Sequence, residues 1–443
     1  MTNQNRFAKT EWIGPFAAFW ISQALSLFGS QLVSFALIWH LARTTDSAAV
    51  LATAALAGLL PQVVLGPAAG AIVDRWNRRF ILLAADAGIA LATLLLAGLF
   101  LAGIVEPWHI YLLMFVRSVG GGFHGPAMLS STALMVPDRN LTRIQGLNQA
   151  LEGTLNIVAA PIAAVALGVV PVEGVLFIDI LTALAAIGLL LRLRIPQPER
   201  TFDTVQSLSF LESTVKDVKA GMTYVWRWTG LCALLTMAVC FNALLQPALT
   251  MLPILVRRSL DGTALSLGGI QAAFGAGIVT GGGLLGVWGG FGRRVWTVIL
   301  GLAGLGVCLL AAGFHPAGNA MWVAACLFGC GAMMALIHGA LFAVVQANVA
   351  PDMQGRVMAL LLSVVGVAVP LGLAAAGPLA DRLGPESWFG AAGIACLGMA
   401  ASAAASPAVR RMEDRGTARP PVAEPAGRRD RPAGDCPMDA KNG

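Results

Sequence analysis

From Ile13 to about Ser406 the chain is a succession of apolar runs, each of roughly 20 residues or more and so long enough to cross a bilayer, divided by short polar breaks. Lipid offers no partner to a free backbone N–H or C=O, so runs of this kind must be helices. Their positions predict helices near 13–41, 48–73, 80–103, 109–136, 143–168 and 173–191, then 229–255, 265–290, 295–313, 320–349, 357–379 and 386–406. Six precede a polar connector and six follow it. The fold expected is an all-α membrane protein with twelve transmembrane helices, divided into residues 1–191, a connector 192–228, residues 229–406 and a tail 407–443. Composition agrees: 12% of the residues are charged, where a soluble domain carries about a quarter.

The net charge of +6 raises the question of a nucleic-acid partner, but the basic residues follow topology. They gather in residues 1–12, 74–79, 137–143, 192–228, 293–294, 351–356 and 407–443, all on one side of the twelve spans. Arg43, Arg257, Arg258 and Arg382 are left for the other side, and Arg117 lies within a helix. By the positive-inside rule both termini are cytoplasmic and the membrane is the plasma (inner) membrane, with lipid and not nucleic acid as the surroundings.

Cys232, Cys240, Cys308, Cys326, Cys330 and Cys396 sit in apolar runs and Cys436 in the tail, which implies no disulfide framework. Cys326 and Cys330 share a helix face without a His or carboxylate beside them in sequence, so packing is expected there and no metal. The first apolar run is too long for a signal-peptide core and contains Gln23 and Gln31, which makes it the first span. In the connector, Leu208, Leu211, Val215, Val218, Met222 and Val225 form one helical face, with Ser209 and Glu212 as a capping box, and an amphipathic helix on the cytoplasmic surface is expected. The tail is rich in Pro, Gly, Arg and Asp and reads as disordered. No Walker A loop, His-Glu-x-x-His or nucleophile-elbow pattern occurs, so the reading is neither an ATP-driven pump nor an enzyme, and it calls for no cofactor.

One polar break carries a motif: Gly70-x-x-x-Asp74-Arg75-x-x-Arg78-Arg79. Gly70 would let two helix backbones approach, Asp74 falls where the second helix ends, and the arginines would hold the loop at the anionic membrane face. For the arginines alone, a topogenic charge cluster explains as much. The whole pattern resembles the loop between the second and third helices of the major facilitator superfamily, with Asn77 where that family usually carries Gly. The resemblance implies that Asp74, Arg75 and Arg78, with Gly70 and Arg79 beside them, act in gating by latching the cytoplasmic side shut. An internal repeat supports two halves. Pro137-Asp138 followed by Arg143 matches Pro351-Asp352 followed by Arg356, and Gly286 to Arg294 echoes the loop without its Asp. Two pseudo-symmetric six-helix bundles with the substrate path between them are expected.

Ionisable and amide side chains within spans are costly and are candidate functional groups. Counting ~1.5 Å per residue along each helix, Gln23, His124, Glu152, Asp179, Asn242 and His338 fall near the midplane, Asp86 nearer the cytoplasm and Arg117 nearer the exterior. Asn148, Glu152 and Asn156 at i, i+4, i+8 make a polar stripe that should face a cavity, where Glu152 could take up and release a proton or hold substrate. A carboxyl bonded to a neighbouring helix is the alternative. His124 and His338 recur in corresponding helices as pocket-lining candidates, against plain packing. Asp86 and Asp179 are candidates for proton coupling, against structural pairing. Gln23, Asn242 and Gln246 are candidate hydrogen-bonding groups for substrate.

Arg117 with Gly121 resembles a fourth-helix motif of proton-coupled members of the superfamily, which implies a part in proton transfer; snorkelling toward the outer interface is the other reading. Arg117…Pro126-Ala127…Val136-Pro137-Asp138…Leu141-Thr-Arg143…Gly146-Leu-Asn148-Gln149, with Ser22-Gln23 and Ser30, is similar to the macrolide-efflux and enterobactin-exporter branch. The resemblance implies a monomeric secondary transporter that exports a bulky, partly apolar small molecule against inward proton flow by alternating access. A siderophore or metabolite exporter of the same fold is the second reading, and a transport-inactive membrane scaffold or sensor is the remote one.

Overall fold

The computed structural model describes residues 12–193, 195, 221–316, 318–349, 351–411 and 413. Among them run twelve long helices: α1 (Ile13–Thr45), α2 (Ala48–Arg75), α3 (Arg78–Leu101), α4 (Pro107–Met135), α5 (Asp138–Val169), α6 (Val172–Arg192), α7 (Thr229–Arg258), α8 (Ala264–Trp288), α9 (Arg294–Gly313), α10 (Ala320–Asn348), α11 (Pro351–Leu383) and α12 (Pro385–Ala405). A single turn, α13 (Pro407–Arg410), follows. Eleven of the twelve are long and apolar enough to cross a membrane on length and composition. The other is α4, whose sequence carries Arg117 and His124. The protein is a multi-pass membrane protein.

The helices form two bundles with the same internal pairing. In the first, α1 packs on α5 and α6, α2 on α4, and α3 on α4 and α6; in the second, α7 packs on α11 and α12, α8 on α10, and α9 on α10 and α12. The two largest contacts between the bundles are α2 with α11 and α5 with α8, and α7 adds smaller ones with α1 and α2. Adding six to each helix number turns one into the other, as two-fold pseudo-symmetry requires. Because lipid is as apolar as leucine, helices in a membrane associate through close packing at small residues. At the α8·α10 crossing a Cβ placed on Gly281 would lie 2.6 Å from Ala332 Cα, so only glycine permits that approach.

The cross-bundle contacts lie in the halves of these helices remote from the termini. A Cβ on Gly377 of α11 would be 2.9 Å from Ala49 Cα of α2, and one on Gly275 of α8 would be 3.2 Å from Ile157 Cα of α5. On the terminal side α5 turns the other way in exposure. Ile144, Asn148, Leu155, Ala159 and Ala163 are buried and mark its inward face, and Glu152 lies on that face yet is exposed. No neighbouring helix covers Glu152, and at the face opposite the termini the packed joints flank a cavity of about 760 Å3 lined by His40, Arg43, Glu173, Arg257 and Asp261.

Several helix ends differ from the sequence expectation. Only Trp76 and Asn77 separate α2 from α3, so Asp74 and Arg75 belong to the last turn of α2; Asn77 caps α3 by accepting a hydrogen bond from Phe80 N at 3.3 Å. Gly70 is no site of close approach, since a Cβ there would meet nothing within 4 Å. The repeated Pro-Asp segments are first turns and not loops: α5 begins at Asp138 and α11 at Pro351. Proline suits a first turn, where its missing N–H has no partner to lose, and an aspartate complements the helix dipole. The tail opens with a helical turn whose Val409 is buried, and Glu413 lies 3.7 Å from Arg294. Most of the connector's expected amphipathic helix and the tail beyond 413 lie outside the described residues.

Candidate functional site

Four helices of the first bundle converge on one guanidinium. Gly120 of α4 would place a Cβ 2.9 Å from Ile89 Cδ1 of α3, and Gly29 of α1 would place one 2.9 Å from Asp179 Oδ1 of α6, so both glycines allow the helices to close on Arg117. Arg117 Nη1 donates to Asp179 Oδ2 at 2.9 Å and Nη2 donates to the Ser30 carbonyl at 2.9 Å. Thr93 Oγ1 of α3 lies 3.2 Å from the same Asp179 oxygen. The Asp179 side chain is 2% exposed and that of Arg117 11%. Arg117 therefore turns inward to a carboxylate and does not snorkel outward. A charge placed so deep is tolerable because its partner and the added hydrogen bonds offset lost hydration.

A second pair lies beside it and is less complete. Asp86 Oδ1 of α3 accepts from Ser26 Oγ at 3.0 Å and lies 3.6 Å from His124 Nε2 of α4. That separation exceeds a good hydrogen bond. Asp86 Oδ2 and His124 Nε2 are both buried without a hydrogen-bond partner. A carboxylate and an imidazole in this relation can hold one proton on either member, and an unpaired buried polar atom is costly enough to invite a ligand, a water or a proton. Asp86, His124 and Arg117 line a cavity of about 270 Å3 together with Ser118, Gln31 and Gln62.

That cavity meets another at Gln31 and Ser34 of α1, which line both. The second, about 240 Å3, lies between the bundles and is walled by Phe35 of α1, Asn156 of α5, and Leu267 and Gln271 of α8. The α5 stripe divides by role. Asn148 is buried and accepts from Trp20 Nε1 at 3.0 Å, Asn156 lines the cavity, and Glu152 between them is exposed with no hydrogen-bond or ion-pair partner among the described residues.

The remaining candidates are more dispersed. Gln23 is fully buried and its Nε2 donates to Ser22 Oγ at 3.2 Å, so it does not face the cavities described here. Asn242 donates back to Ala238 O at 2.8 Å within α7, and Gln246 is half-buried one turn further on. His338 stacks edge-on against Phe241, ring centres 5.9 Å apart. Arg78 is buried and donates to Ser130 O of α4 at 3.3 Å, and Arg79 donates to the carbonyls of Leu190 and Leu191 at the end of α6. Both arginines thus have partners inside the first bundle, while the side chains of Asp74 and Arg75 lie outside the described residues.

Sequence reasoning missed Ser26, Ser34, Thr93, Gln62 and Gln271, and gave Ser30 no role beyond the resemblance. A signal for the α1 members exists: Ser22, Ser26, Ser30 and Ser34 recur every four residues and form a hydroxyl stripe.

The family model of the Major Facilitator Superfamily matches residues 19–373 and 248–428. Macrolide efflux protein A of Streptococcus pyogenes is 31% identical over 378 residues, 85% of this chain and 92% of that protein. Multidrug efflux pump Tap of Mycolicibacterium fortuitum is 24% identical over 434 residues, 93% of this chain and 99% of its own. Among solved structures, a POT family transporter in complex with a thioalcohol-conjugated peptide superposes with a TM-score of 0.64 at 14% identity, over 88% of this chain and 95% of that one. An inward-facing, unoccupied bacterial homologue of the human lysosomal transporter Spinster superposes with a TM-score of 0.61 at 18% identity, over 90% and 96%. These solved structures share the fold. With the family model spanning both bundles and a relative above 30% identity along most of its length, the chain belongs to the Major Facilitator Superfamily.

Proposed function

We propose that the protein is a secondary transporter of the plasma membrane, termini in the cytoplasm, that exports macrolides or similar bulky amphiphiles by alternating access in exchange for protons. The observation that supports this best is the pair Asp86 and His124, buried and incompletely bonded, in a cavity that meets the one between the bundles at Gln31 and Ser34. In this reading the Asp86–His124 pair carries the transported proton. Arg117 and Asp179 hold the surrounding helices and set the local field. Glu152, exposed on the same face of α5 as Asn148 and Leu155, meets substrate or proton first, and Asn156, Gln271 and the apolar walls hold an amphiphile. Asn242, Gln246 and His338 are assigned to the second bundle's share of the substrate path. Asp74 and Arg75 are assigned to the latch at the cytoplasmic face. The protein works as a monomer, since the path lies within one chain.

The test is macrolide accumulation in cells expressing wild type, Glu152→Gln or Arg117→Ala. Low accumulation with wild type and high accumulation with both variants is expected. Equal accumulation in all three, with each protein present in the membrane, overturns the reading. Export of a siderophore or metabolite by the same machinery is the alternative, and it predicts proton exchange without macrolide movement.

A further inference from the structure

At the face opposite the termini, charged residues that no role above uses join the two bundles. Asp381, near the end of α11, places its carboxylate on the start of α2. It accepts from Ser47 Oγ at 2.7 Å, Ala48 N at 2.6 Å and Ala49 N at 3.1 Å. These two amides are among the first N–H groups of α2, which have no partner within the helix, and the positive end of the helix dipole favours a carboxylate there. Ser47, the residue before the helix, accepts from Val50 N at 3.3 Å and so caps one amide of the first turn. The second bundle therefore adds Asp381 as a second cap, on the Ala48 and Ala49 amides that Ser47 does not reach.

The first bundle returns the arrangement. Asp46, in the turn between α1 and α2, lies 3.1 Å from Arg258 Nε and 3.8 Å from Arg257 Nε at the end of α7. Its carbonyl also accepts from Arg258 Nη2. Asp46 has φ +46°, a left-handed conformation that aspartate adopts more readily than most side chains, and this turns carboxylate and carbonyl together toward α7. One turn below Asp381, Gly377 admits Ala49 and Ala52, so the helices are in contact behind the charges. The other joint, α5 with α8, is closed by apolar packing of Gly268 on Ala160 and Ala164. Among the described residues the charged fastening sits on one joint alone.

We propose that Asp381 on the α2 N-terminus and Asp46 on Arg258 form the outer gate of the transport cycle, made while the face opposite the termini is shut and broken when it opens. Each bundle lends a carboxylate to the other, so rocking the bundles apart must break both contacts together. The proposal rests on alternating access but on neither the substrate nor the proton. Because these groups are partly exposed, removing the helix cap or the ion pair shifts a two-state equilibrium by about two- to tenfold.

Hydrogen–deuterium exchange of the full-length protein in lipid nanodiscs, without drug or pH gradient, tests it. Asp381→Ala should speed exchange at the start of α2 and the end of α11 and at the same time slow it at the terminal-face ends of α5 and α11, as about two- to tenfold more molecules open outward. Asp46→Asn should act in the same direction, and the exchanged pair Asp46→Arg with Arg258→Asp should bring the pattern back toward wild type. Faster exchange at the outer ends with the terminal ends unchanged means loss of a local cap only and overturns the proposal, as does no change in either variant. If Asp381→Ala fails to fold, the Asp46→Asn measurement and the exchanged pair decide alone. Because no drug is present, the result is independent of whether macrolides or protons are carried.

Discussion

Arg117 on α4 and Asp179 on α6 meet at 2.9 Å inside the first bundle, and with Thr93 on α3 and the Ser30 carbonyl on α1 they tie four helices at one point. Such a contact specifies how the helices sit more than it adds stability, because two desolvated charges roughly cancel their own attraction. Removing one partner is another matter.

Arg117→Ala leaves Asp179 buried without its cation and should cost about 3–5 kcal/mol, as should Asp179→Ala by the converse. The double variant Arg117→Met with Asp179→Leu removes both charges and should recover most of that loss. Thermal unfolding of the purified proteins in detergent checks this. A double variant no more stable than either single one would show that the charges are not coupled.

Glu152→Gln should leave stability within about 0.5 kcal/mol of wild type, the usual range for a surface change, because Glu152 has no partner among the described residues. Macrolide export should nevertheless fall. The two measurements separate function from structure: a carboxyl bonded to a neighbouring helix would lower the unfolding temperature along with transport.

The α8·α10 crossing depends on glycine. Gly281→Ala would force a Cβ against the Ala332 backbone, and overpacking of this kind costs about 1–3 kcal/mol. Gly70→Ala, with open space around it, should cost nothing by the same measure of unfolding. Equal effects at the two positions would contradict the packing described.

What could be read from the sequence follows from what is local. Apolar run length gives the helices, because a backbone in lipid has no other way to satisfy itself, and the repeat of Pro137-Asp138 at Pro351-Asp352 gives the two halves. Helix ends were less legible. Asp138 and Asp352 look like loop residues, yet both lie in the first turns of helices. Pairings between helices were not legible at all: nothing near Arg117 points to Asp179, sixty-two positions on, and nothing near His124 points to Asp86. Asp46 and Asp381 sit at helix ends, where a lone acid reads as a solvated charge until the other bundle is seen against it. Gln23 misled in the opposite sense, since an amide in a span looks like a pocket residue and here is packed beside Ser22.

Transport in proteoliposomes made with the purified protein tests most directly whether Asp86 and His124 exchange a proton against the drug. With the lumen acid and the terminal face outward, wild type should concentrate a radiolabelled macrolide inside. A protonophore should collapse the accumulation, and Asp86→Asn should lower it by about tenfold, an effect of ~1.4 kcal/mol. Accumulation that ignores the pH gradient, or that Asp86→Asn leaves intact, would contradict it.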